Sequence, residues 1–475
     1  MKFEELVEQI VIDVGFYQDS VNDEALFAEF TMASGIKYFD RLESERFESF
    51  LRMRSRELKK DGKAINAKAA IEYIRDRFNY DGPPSKTEVF IRTAGDLKNG
   101  IEYALKDTKQ RYVHINKEGW TITVMPEYKF LCPYTSKAQV IPKKSDDSPL
   151  KLLRPFVNLS GDSFTLFVIW LIQAFCSGNH SALLVTAERG SGKTTLSRLI
   201  REILEPSSVG VSYFSTSKEK LLNTLSNMYL ICYDNIRQIS PEQSDLLCIA
   251  STGGTATKRA LYTNNDLCVQ KLHNVIVLNG ISLVPKESDL AERLLVVNLK
   301  KFTAKDIRTE KDFWGKFNAQ RPFILGSIFS TLSKAMAHFE TLSLDGMPRM
   351  ADSFSDMVAI ALALGISQEE FRRIYDANIE KMRKLRADTP LVEAIRDAMN
   401  GMVNGRRELE GKAERVYSVV KAAYSGNPND LPGSASHFSR ALEAEHDVIF
   451  AAGYRVNIDD TPSDGTHIQI IRKKK

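Results

Sequence analysis

The chain has 475 residues, of which 43% are hydrophobic and 27% are charged, and its formal net charge at pH 7 is +4. This length exceeds what one hydrophobic core supports, and the composition is that of an ordinary folded protein, which excludes a disordered or fibrous chain. The positive excess is small, so a surface that is basic throughout is excluded and any contact with nucleic acid must be local.

The cysteines and the apolar runs indicate the compartment. The five cysteines have neither the spacing of zinc ligands nor that of a disulfide framework, which predicts reduced thiols: Cys132, Cys176, Cys232, Cys248 and Cys268. No basic-then-apolar leader begins the sequence, and the longest apolar run, residues 164–176, is too short to cross a bilayer. We therefore expect a cytoplasmic protein without a membrane-spanning segment.

Residues 1–84 are predicted to form a helical domain. Apolar side chains recur there at spacings of three and four residues, as at Phe27 and Phe30. The densely charged stretch 41–77 is typical of a solvated helix face, and a surface that touches DNA is the alternative. Residues 85–148 favour short strands and are predicted to form a small β-containing module, whose residues indicate no chemistry.

Residues 149–302 are predicted to form a P-loop ATPase core, and the stretch 181–200 carries the evidence. A β-prone run, a glycine-containing loop and a helical segment follow one another there, with Ala187 where the usual first glycine stands. Glycines let backbone N–H groups point at phosphates, a lysine neutralises their charge, and a threonine hydroxyl can ligate Mg²⁺. The residues predicted to bind ATP are Glu188, Arg189, Gly190, Ser191, Gly192, Lys193, Thr194 and Thr195.

Two further apolar strands are predicted to end in polar side chains beside this loop. The first ends at Asp234, and a carboxylate at the carboxyl edge of a buried parallel strand is suited to hold Mg²⁺ together with Thr194. The second ends at Asn279, whose amide can orient the attacking water or touch the γ-phosphate. Arg293 precedes a fourth strand and is either a surface ion-pair former or a finger that reaches the γ-phosphate of a neighbouring subunit.

Between the second and third strands, residues 252–271 are predicted to form a β-hairpin with its turn at residues 263–266. Lys258 and Arg259 lie on this hairpin. Cations on a hairpin inside an ATPase core can grip the phosphate backbone of nucleic acid, since such contacts do not depend on sequence. The alternative is a sheet edge that charges protect from pairing.

The remainder is predicted to be a helical lid and connector over residues 303–404 and a winged-helix domain over residues 405–475. In the last segment, two helices precede a β-hairpin. Such a module can place a helix in the major groove, with His437 and Arg440 on the helix and Arg455 on the wing as candidate DNA contacts. A winged helix that contacts protein is the alternative.

From about residue 110 to its end, the chain resembles AAA+ ATPases. The hairpin just before the Asn279 strand is similar to the pre-sensor-1 hairpin of superfamily 3 and MCM-like helicases, and the chain looks like the primase-helicase type of ATPase of prophages and other mobile elements. The likeness is carried by Lys117–Trp120, Leu153–Asn158, the phosphate loop, Thr252–Gly254, Arg259–Tyr262, Val277–Ile281 and Pro348–Asp352. The resemblance implies a hexameric ring around DNA, with Asn279 as sensor 1, Arg293 as the trans-acting finger and Arg349 as a sensor-2 residue in the helical lid.

One position departs from this pattern. AAA+ enzymes usually follow the metal-side aspartate with a glutamate that polarises the water, and here the residue is Asn235. An amide cannot act as a general base, so hydrolysis either relies on another carboxylate, with Glu242 the nearest in sequence, or is slow.

Together these features predict an α/β protein that acts as an ATP-dependent DNA helicase or translocase in the replication of a mobile genetic element or prophage. It would assemble as a homo-oligomeric ring, hold ATP and Mg²⁺ between subunits, and engage single-stranded and forked or duplex DNA. Two alternatives stay open. One is an ATP-switch DNA-binding regulator or helicase loader with little hydrolysis, which Asn235 favours, and the other is the helicase subunit of a primase-helicase system.

Overall fold

The computed structural model describes residues 2–59, 62–188, 190–259, 267–280, 285, 287–302, 308–387, 389–402, 407–461 and 465–473. The chain forms two compact units, one made of Met1–Leu283 with Arg293–Tyr375 and the other of Val284–Glu292 with Asp376–Lys475. The predicted boundaries at residues 84, 148 and 302 all lie within the first unit, and the division into five domains stays a prediction.

The N-terminal region mixes helices with strands. Its elements are α1 (Phe3–Ile10), β1 (Gly15–Asp19), β2 (Leu26–Thr31), β3 (Lys37–Arg41), α2 (Glu45–Leu58), α3 (Ala67–Asp81) and β4 (Lys86–Thr87). The strands form one sheet in the order β3-β2-β1-β4, in which β4 runs parallel to β1 and the other pairs are antiparallel. The prediction of a helical domain over residues 1–84 is therefore wrong for the three strands between residues 15 and 41.

The apolar pattern of β2 is misleading because both faces of this sheet are covered. On one face Phe27 is only 2% exposed, and its ring stacks on that of Phe39 in the neighbouring strand β3 with centroids 5.3 Å apart. Phe30 points to the opposite face, where its ring lies 5.2 Å from that of Phe47 of α2. A strand buried on both faces loses the apolar–polar alternation that identifies strands in a sequence, so the three-residue spacing of Phe27 and Phe30 suggests a helix instead.

The next region carries short strands, as predicted for residues 85–148. These are β5 (Val89–Phe90), β6 (Thr93–Asp96), β7 (Gly100–Ala104), β8 (Tyr112–Asn116), β9 (Gly119–Thr123) and β10 (Lys129–Phe130). An antiparallel sheet has the order β6-β7-β8-β9, and β5 pairs with β10 in parallel.

A parallel sheet forms the centre of the first unit. The elements from residue 149 onward are α4 (Pro149–Leu153), α5 (Gly161–Gln173), β11 (Ala182–Thr186), α6 (Lys193–Leu204), β12 (Ser212–Tyr213), α7 (Lys218–Asn227), β13 (Leu230–Asp234), α8 (Pro241–Ser251), β14 (Thr255–Arg259), β15 (Leu267–Lys271), β16 (Val275–Gly280), α9 (Ser288–Ala291), which belongs to the second unit, and β17 (Leu294–Asn298). The sheet order is β12-β13-β16-β11-β17, with every neighbouring pair parallel. Its central strands are apolar runs because they are buried on both faces, as Leu183 and Val277 show with no exposed surface.

Strands β14 and β15 pair antiparallel, from Thr255 opposite Lys271 to Arg259 opposite Leu267. This pairing confirms the predicted hairpin. Its predicted turn, residues 263–266, lies outside the described residues.

Helices follow the parallel sheet, as predicted for residues 303–404. They are α10 (Glu310–Glu340), α11 (Ala351–Ala363), α12 (Gln368–Ala387) and α13 (Pro390–Asn400). The first two of these belong to the first unit, and α12 crosses the boundary between the units.

The second unit has its own core. After α13 it contains β18 (Glu408–Lys412), α14 (Ala413–Ala423), α15 (Ala435–Ala444), α16 (His446–Ala451), β19 (Tyr454–Thr461) and β20 (Gly465–Arg472). The strands pair antiparallel in the order β18-β20-β19, and Val416 of α14, Phe438 of α15 and Ile468 of β20 are fully buried in one core. Two helices followed by a terminal hairpin occur in this segment as predicted, whereas the strand β18 was not predicted.

Within the described part of the chain, no single helix is long and apolar enough to cross a membrane. One bent pair, Pro149–Phe156 with Gly161–Gln173, passes the length and hydropathy test only when both segments are counted together, across a bend of 113°.

Candidate functional site

The parallel sheet brings the predicted phosphate loop, Asp234 and Asn279 to one edge. Val185, near the end of β11, pairs with Asn279 of β16, and Tyr233 of β13 pairs with Leu278. The loop after β11, the carboxylate that ends β13 and the amide near the end of β16 therefore share the carboxyl edge of three neighbouring strands. In open parallel sheets this edge is where ligands bind.

The loop between β11 and α6 has the backbone that its glycines predict. Gly190 and Gly192 adopt φ angles of +77° and +84°, in the left-handed region that side chains disfavour. The Lys193 ammonium donates hydrogen bonds to the carbonyls of Ala187 and Glu188, at 2.8 and 3.0 Å. Partial burial lowers the pKa of Lys193 from its usual value. The predicted Arg189 lies outside the described residues.

Thr194 and Asp234 meet at this edge. The Thr194 hydroxyl donates a hydrogen bond of 2.6 Å to Oδ2 of Asp234. The two side chains come from different elements, the first turn of α6 and the end of β13. A hydroxyl and a carboxylate offer the oxygen ligands that Mg²⁺ prefers, so the pair assigned to the metal by the sequence is in contact.

Two buried side chains at this edge have unsatisfied hydrogen-bonding groups. The amide of Asn279 is fully buried, and neither its nitrogen nor its oxygen has a hydrogen-bond partner among the described residues. The hydroxyl of Ser191, in the loop, is buried and equally unpartnered within the described part of the chain. Burying such groups without partners is unfavourable, so both sites are suited to a polar ligand or water.

Asn235 has a backbone reason to be an asparagine. Its φ is +55°, in the left-handed region, which asparagine tolerates better than most residues with a side chain. This turn lets the Ile236 N–H donate to the Asn279 carbonyl at 2.9 Å. The Asn235 N–H donates to Oδ1 of Asp234 at 2.7 Å, which helps to orient this carboxylate. The sequence-based interpretation of Asn235 considered only its side-chain chemistry. Its place in the loop directly after a strand could have indicated the left-handed backbone.

A cavity of about 670 Å³ opens beside the loop. Its lining includes Gly190, Ser191, Gly192 and Thr195, together with four aromatic residues that were not predicted as site residues and that we call the aromatic wall: Phe156, Phe302, Phe313 and Trp314. The size suits a nucleoside-sized ligand. These aromatics come from three separate stretches of the chain, so no local pattern marks them.

The two predicted arginines are not part of this cavity. Leu294 pairs with Ala182 at the start of β11, which places Arg293 at the amino edge of the sheet. The loop lies at the other end of β11, whose 5 residues span about 16 Å, more than the length of an arginine side chain. Arg349 is exposed just before α11 and does not line the cavity as formed by the described residues. Glu242, the alternative base, is exposed and accepts a hydrogen bond from the Ser240 hydroxyl at 3.1 Å.

The candidate DNA contacts fall into two groups. Lys258 and Arg259 lie at the distal end of β14, and their side chains are outside the described part of the structure. In the second unit, His437 and Arg440 are exposed one turn apart on α15, and Arg455 is exposed on β19. The Arg440 guanidinium donates to the Ser436 hydroxyl at 3.3 Å and has no ion-pair partner among the described residues, which leaves its charge at the surface.

Three solved structures of one protein have weak likeness to the chain. "The A form apo structure of NrS-1 C terminal region-CTR" has a TM-score of 0.44 and 11% identity, with 99% of each chain covered. "The A form apo structure of NrS-1 C terminal region-CTR(305-718)" has a TM-score of 0.42 at 11% identity, covering 99% of this chain and 98% of that one. "The apo structure of NrS-1 C terminal region (305-718)" has a TM-score of 0.43 at 11% identity, with both chains fully covered. Likenesses at this level carry no inference about fold or function.

No curated protein sequence matches the chain. A family model does match residues 150–381, and its description is "Actinomycete integrative conjugative element replication protein". The matched stretch contains the predicted phosphate loop, Asp234, the hairpin, Asn279, Arg293 and Arg349. Over this stretch the chain is thus similar to replication proteins of a mobile genetic element, which supports a role in the replication of such an element.

Proposed function

We propose that the chain binds MgATP at the carboxyl edge of its parallel sheet and uses it as an ATP-driven DNA helicase or translocase in the replication of a mobile element. The observation that carries this proposal is the 2.6 Å hydrogen bond between the Thr194 hydroxyl and the Asp234 carboxylate. It joins the first turn of the helix after a glycine loop to the end of a neighbouring strand, where the two oxygens can share one Mg²⁺. We assign the fold to the AAA+ type on the same grounds.

The side chains at this edge fit a nucleoside triphosphate. Bound Mg²⁺ would neutralise charge on the phosphate oxygens. The Lys193 ammonium, held by two loop carbonyls, can exchange them for phosphate oxygens without leaving the loop. The unpartnered amide of Asn279 can bond a phosphate oxygen or orient the attacking water. The aromatic wall of the cavity would exclude water from the base and ribose.

The position of Arg293 favours a shared site in a ring. Because it lies at the amino edge of its own sheet, its guanidinium cannot reach the phosphate loop of the same chain. An arginine supplied by a neighbouring subunit can stabilise the charge that develops on the transferred phosphoryl group. In this proposal the catalytic site is complete only where two copies meet, and the oligomer is a closed ring.

DNA would be engaged at two places. In the chain, the hairpin of β14 and β15 lies between the strand that ends at Asp234 and the strand that carries Asn279. A change at the γ-phosphate can therefore move Lys258 and Arg259. In the second unit, the order of helices, hairpin and added strand is that of a winged helix, with His437, Arg440 and Arg455 as contacts.

The test is ATP-driven unwinding of a tailed duplex by the full chain and by Lys193→Ala and Arg293→Ala. Lys316→Ala, which removes an exposed lysine of α10, is the matched control. We expect the first two variants to lose unwinding, Arg293→Ala to retain ATP binding, and the control to behave as wild type. Unwinding by Lys193→Ala at the wild-type rate would refute the assignment of the site.

Mixing the two inactive variants tests the shared site directly. A Lys193→Ala subunit retains its arginine and an Arg293→Ala subunit retains its loop, so some interfaces in a mixed ring are complete. We expect the mixture to recover part of the ATPase activity that neither variant has alone. A mixture that assembles but stays inactive would show that Arg293 does not act on a neighbour.

Asn235 favours a second candidate function, an ATP-dependent switch that hydrolyses slowly. Asparagine at this position supplies no general base, and the Glu242 carboxylate accepts a hydrogen bond from the Ser240 hydroxyl. For a switch, the wild type would bind ATP and DNA without hydrolysis, and Asn235→Glu would gain it. Asn235→Gly, which keeps the left-handed backbone without a carboxylate, is the control.

A further inference from the structure

Two tyrosines of the first unit are far more exposed than large aromatic residues usually are. Tyr134 is 66% exposed and Tyr213 is 79% exposed. Both line one cavity of about 760 Å³, which we call the tyrosine cavity. Its other apolar lining includes Ile91, Pro133 and Met228. Exposed apolar surface concentrated at one concave site is a feature of binding sites.

The backbones that carry the two tyrosines are held together. The Thr135 carbonyl accepts hydrogen bonds from the Ser208 N–H at 2.8 Å and from the Ser207 hydroxyl at 2.9 Å. The Lys137 N–H donates to the Pro206 carbonyl at 2.9 Å. The segment after Tyr134 is thus fixed to the loop that leads into β12, which carries Tyr213. The two rings are presented from fixed backbones, so little conformational entropy is lost when a ligand stacks on them.

The charges around the tyrosine cavity leave cations available. Of its two acidic residues, Asp40 forms an ion pair with Arg46 at 2.5 Å, and Glu43 forms one with Arg75. Its two cations, Arg41 and Lys220, have no ion-pair partner within the described part of the chain.

Polar groups complete the lining, and the ion-paired Arg46 lies beside one of its rings. The Arg46 guanidinium lies 5.4 Å from the centre of the Tyr134 ring. The exposed side of α7 adds amides and a hydroxyl to the lining, from Asn223, Thr224 and Asn227. Flat aromatic rings, unpaired cations and amides in one groove suit a polyanion with unpaired bases.

We propose that the tyrosine cavity binds single-stranded DNA, with bases stacked on Tyr134 and Tyr213 and phosphates near Arg41 and Lys220. Stacking requires bases that are not paired, so duplex DNA is a poor ligand for it. All of the cavity's lining residues belong to the first unit, and one of them, Ser226, donates a hydrogen bond of 2.6 Å to Gln270 on β15 of the hairpin. The proposal rests on the proposed action of the chain on DNA.

The experiment measures binding of an unstructured, fluorescently labelled oligothymidylate to the full chain. We expect Tyr134→Ala combined with Tyr213→Ala to weaken this binding by about tenfold or more, because stacking is lost at two bases. Tyr134→Phe combined with Tyr213→Phe retains the rings and should bind like the wild type. The control is Tyr80→Ala, since Tyr80 is 91% exposed at the end of α3 and lies outside the cavity.

A second measurement locates the strand. An oligothymidylate carrying 5-iodouracil should crosslink on irradiation to the wild type at Tyr134 or Tyr213. Crosslinks found only elsewhere, or equal binding by the alanine pair and the Tyr80 control, would overturn the proposal while leaving DNA binding intact. This outcome is also the one expected if the tyrosine cavity binds a protein instead of DNA. Failure of the wild type to bind any single strand would instead refute the proposed motor as well.

Discussion

The phosphate loop offers a matched pair of glycines whose replacement separates backbone strain from steric conflict. Gly190 and Gly192 have φ angles of +77° and +84°, a conformation that costs a residue with a side chain roughly 1–2 kcal/mol. A Cβ at Gly190 would have no atom within 4 Å, whereas a Cβ at Gly192 would lie 2.9 Å from Cε2 of Phe302 and 3.1 Å from its Cζ. Only Gly192→Ala therefore forces the Phe302 ring to move.

The expected effects follow from this difference. If the loop must hold this backbone to bind phosphates, Gly190→Ala lowers the affinity for MgATP by roughly 5- to 30-fold. Gly192→Ala lowers it further, because the displaced ring of Phe302 enters the cavity that it lines. Removing the ring as well, in Gly192→Ala combined with Phe302→Ala, should raise the affinity for MgATP to the level of the Gly190→Ala variant.

The assay is a titration with a fluorescent ATP analogue at constant Mg²⁺, with thermal unfolding to verify that each variant is folded. Phe302→Ala alone completes the double-mutant cycle and reports what the ring itself contributes to binding. Equal affinities of Gly190→Ala and Gly192→Ala would refute the steric argument. So would a double variant that binds no better than Gly192→Ala.

Two further predictions concern stability. Burial raises the pKa of Asp356, on α11, from 3.8 to about 7. Between these two pH values the carboxyl ionises only in the unfolded chain, so the free energy of unfolding falls by up to about 4 kcal/mol as the pH rises. The unfolding midpoint of Asp356→Asn should therefore rise relative to that of the wild type from pH 4 to pH 7, and the difference should stay level above pH 7. A difference between the two midpoints that does not change with pH would contradict this. A Cβ at Gly326 would overlap the backbone carbonyl of Lys143, with its carbon 2.6 Å away, so Gly326→Ala should destabilise the first unit by about 1–3 kcal/mol in chemical denaturation. Gly315→Ala in the same helix meets nothing within 4 Å and should stabilise by about 0.5–1 kcal/mol, so a stable Gly326→Ala would show that the segment at Lys143 shifts freely.

The N-terminal region shows where sequence patterns misled. The strands between residues 15 and 41 are covered on both faces, so Phe27 and Phe30 lack the alternation that marks a strand. A local window cannot detect that a sheet is covered from two sides, because the covering residues are distant in the chain. The apolar runs of β13 and β16 were identified correctly, since a buried parallel strand has that pattern wherever it lies.

The aromatic wall of the nucleoside-sized cavity was missed for a similar reason. Phe156, Phe302 and Trp314 come from separate stretches of the chain and meet only in the folded protein. Tyr134 and Tyr213 are likewise far apart in sequence. They line the same cavity because the hydrogen bonds of Thr135 hold their two segments together. A lone tyrosine in a sequence gives no sign of being exposed.

The sequence by itself determined the glycine loop after β11, the strand ending at Asp234, the strand that carries Asn279 and the hairpin between them. These are local patterns, and parallel strands place their carboxyl ends at one edge, so their meeting could be predicted. Only the tertiary structure decided that Arg293 lies at the opposite edge, that Asn235 holds a left-handed turn and that two tyrosines share a cavity. Each of these depends on register, backbone conformation or contacts between distant segments, which local periodicity does not encode.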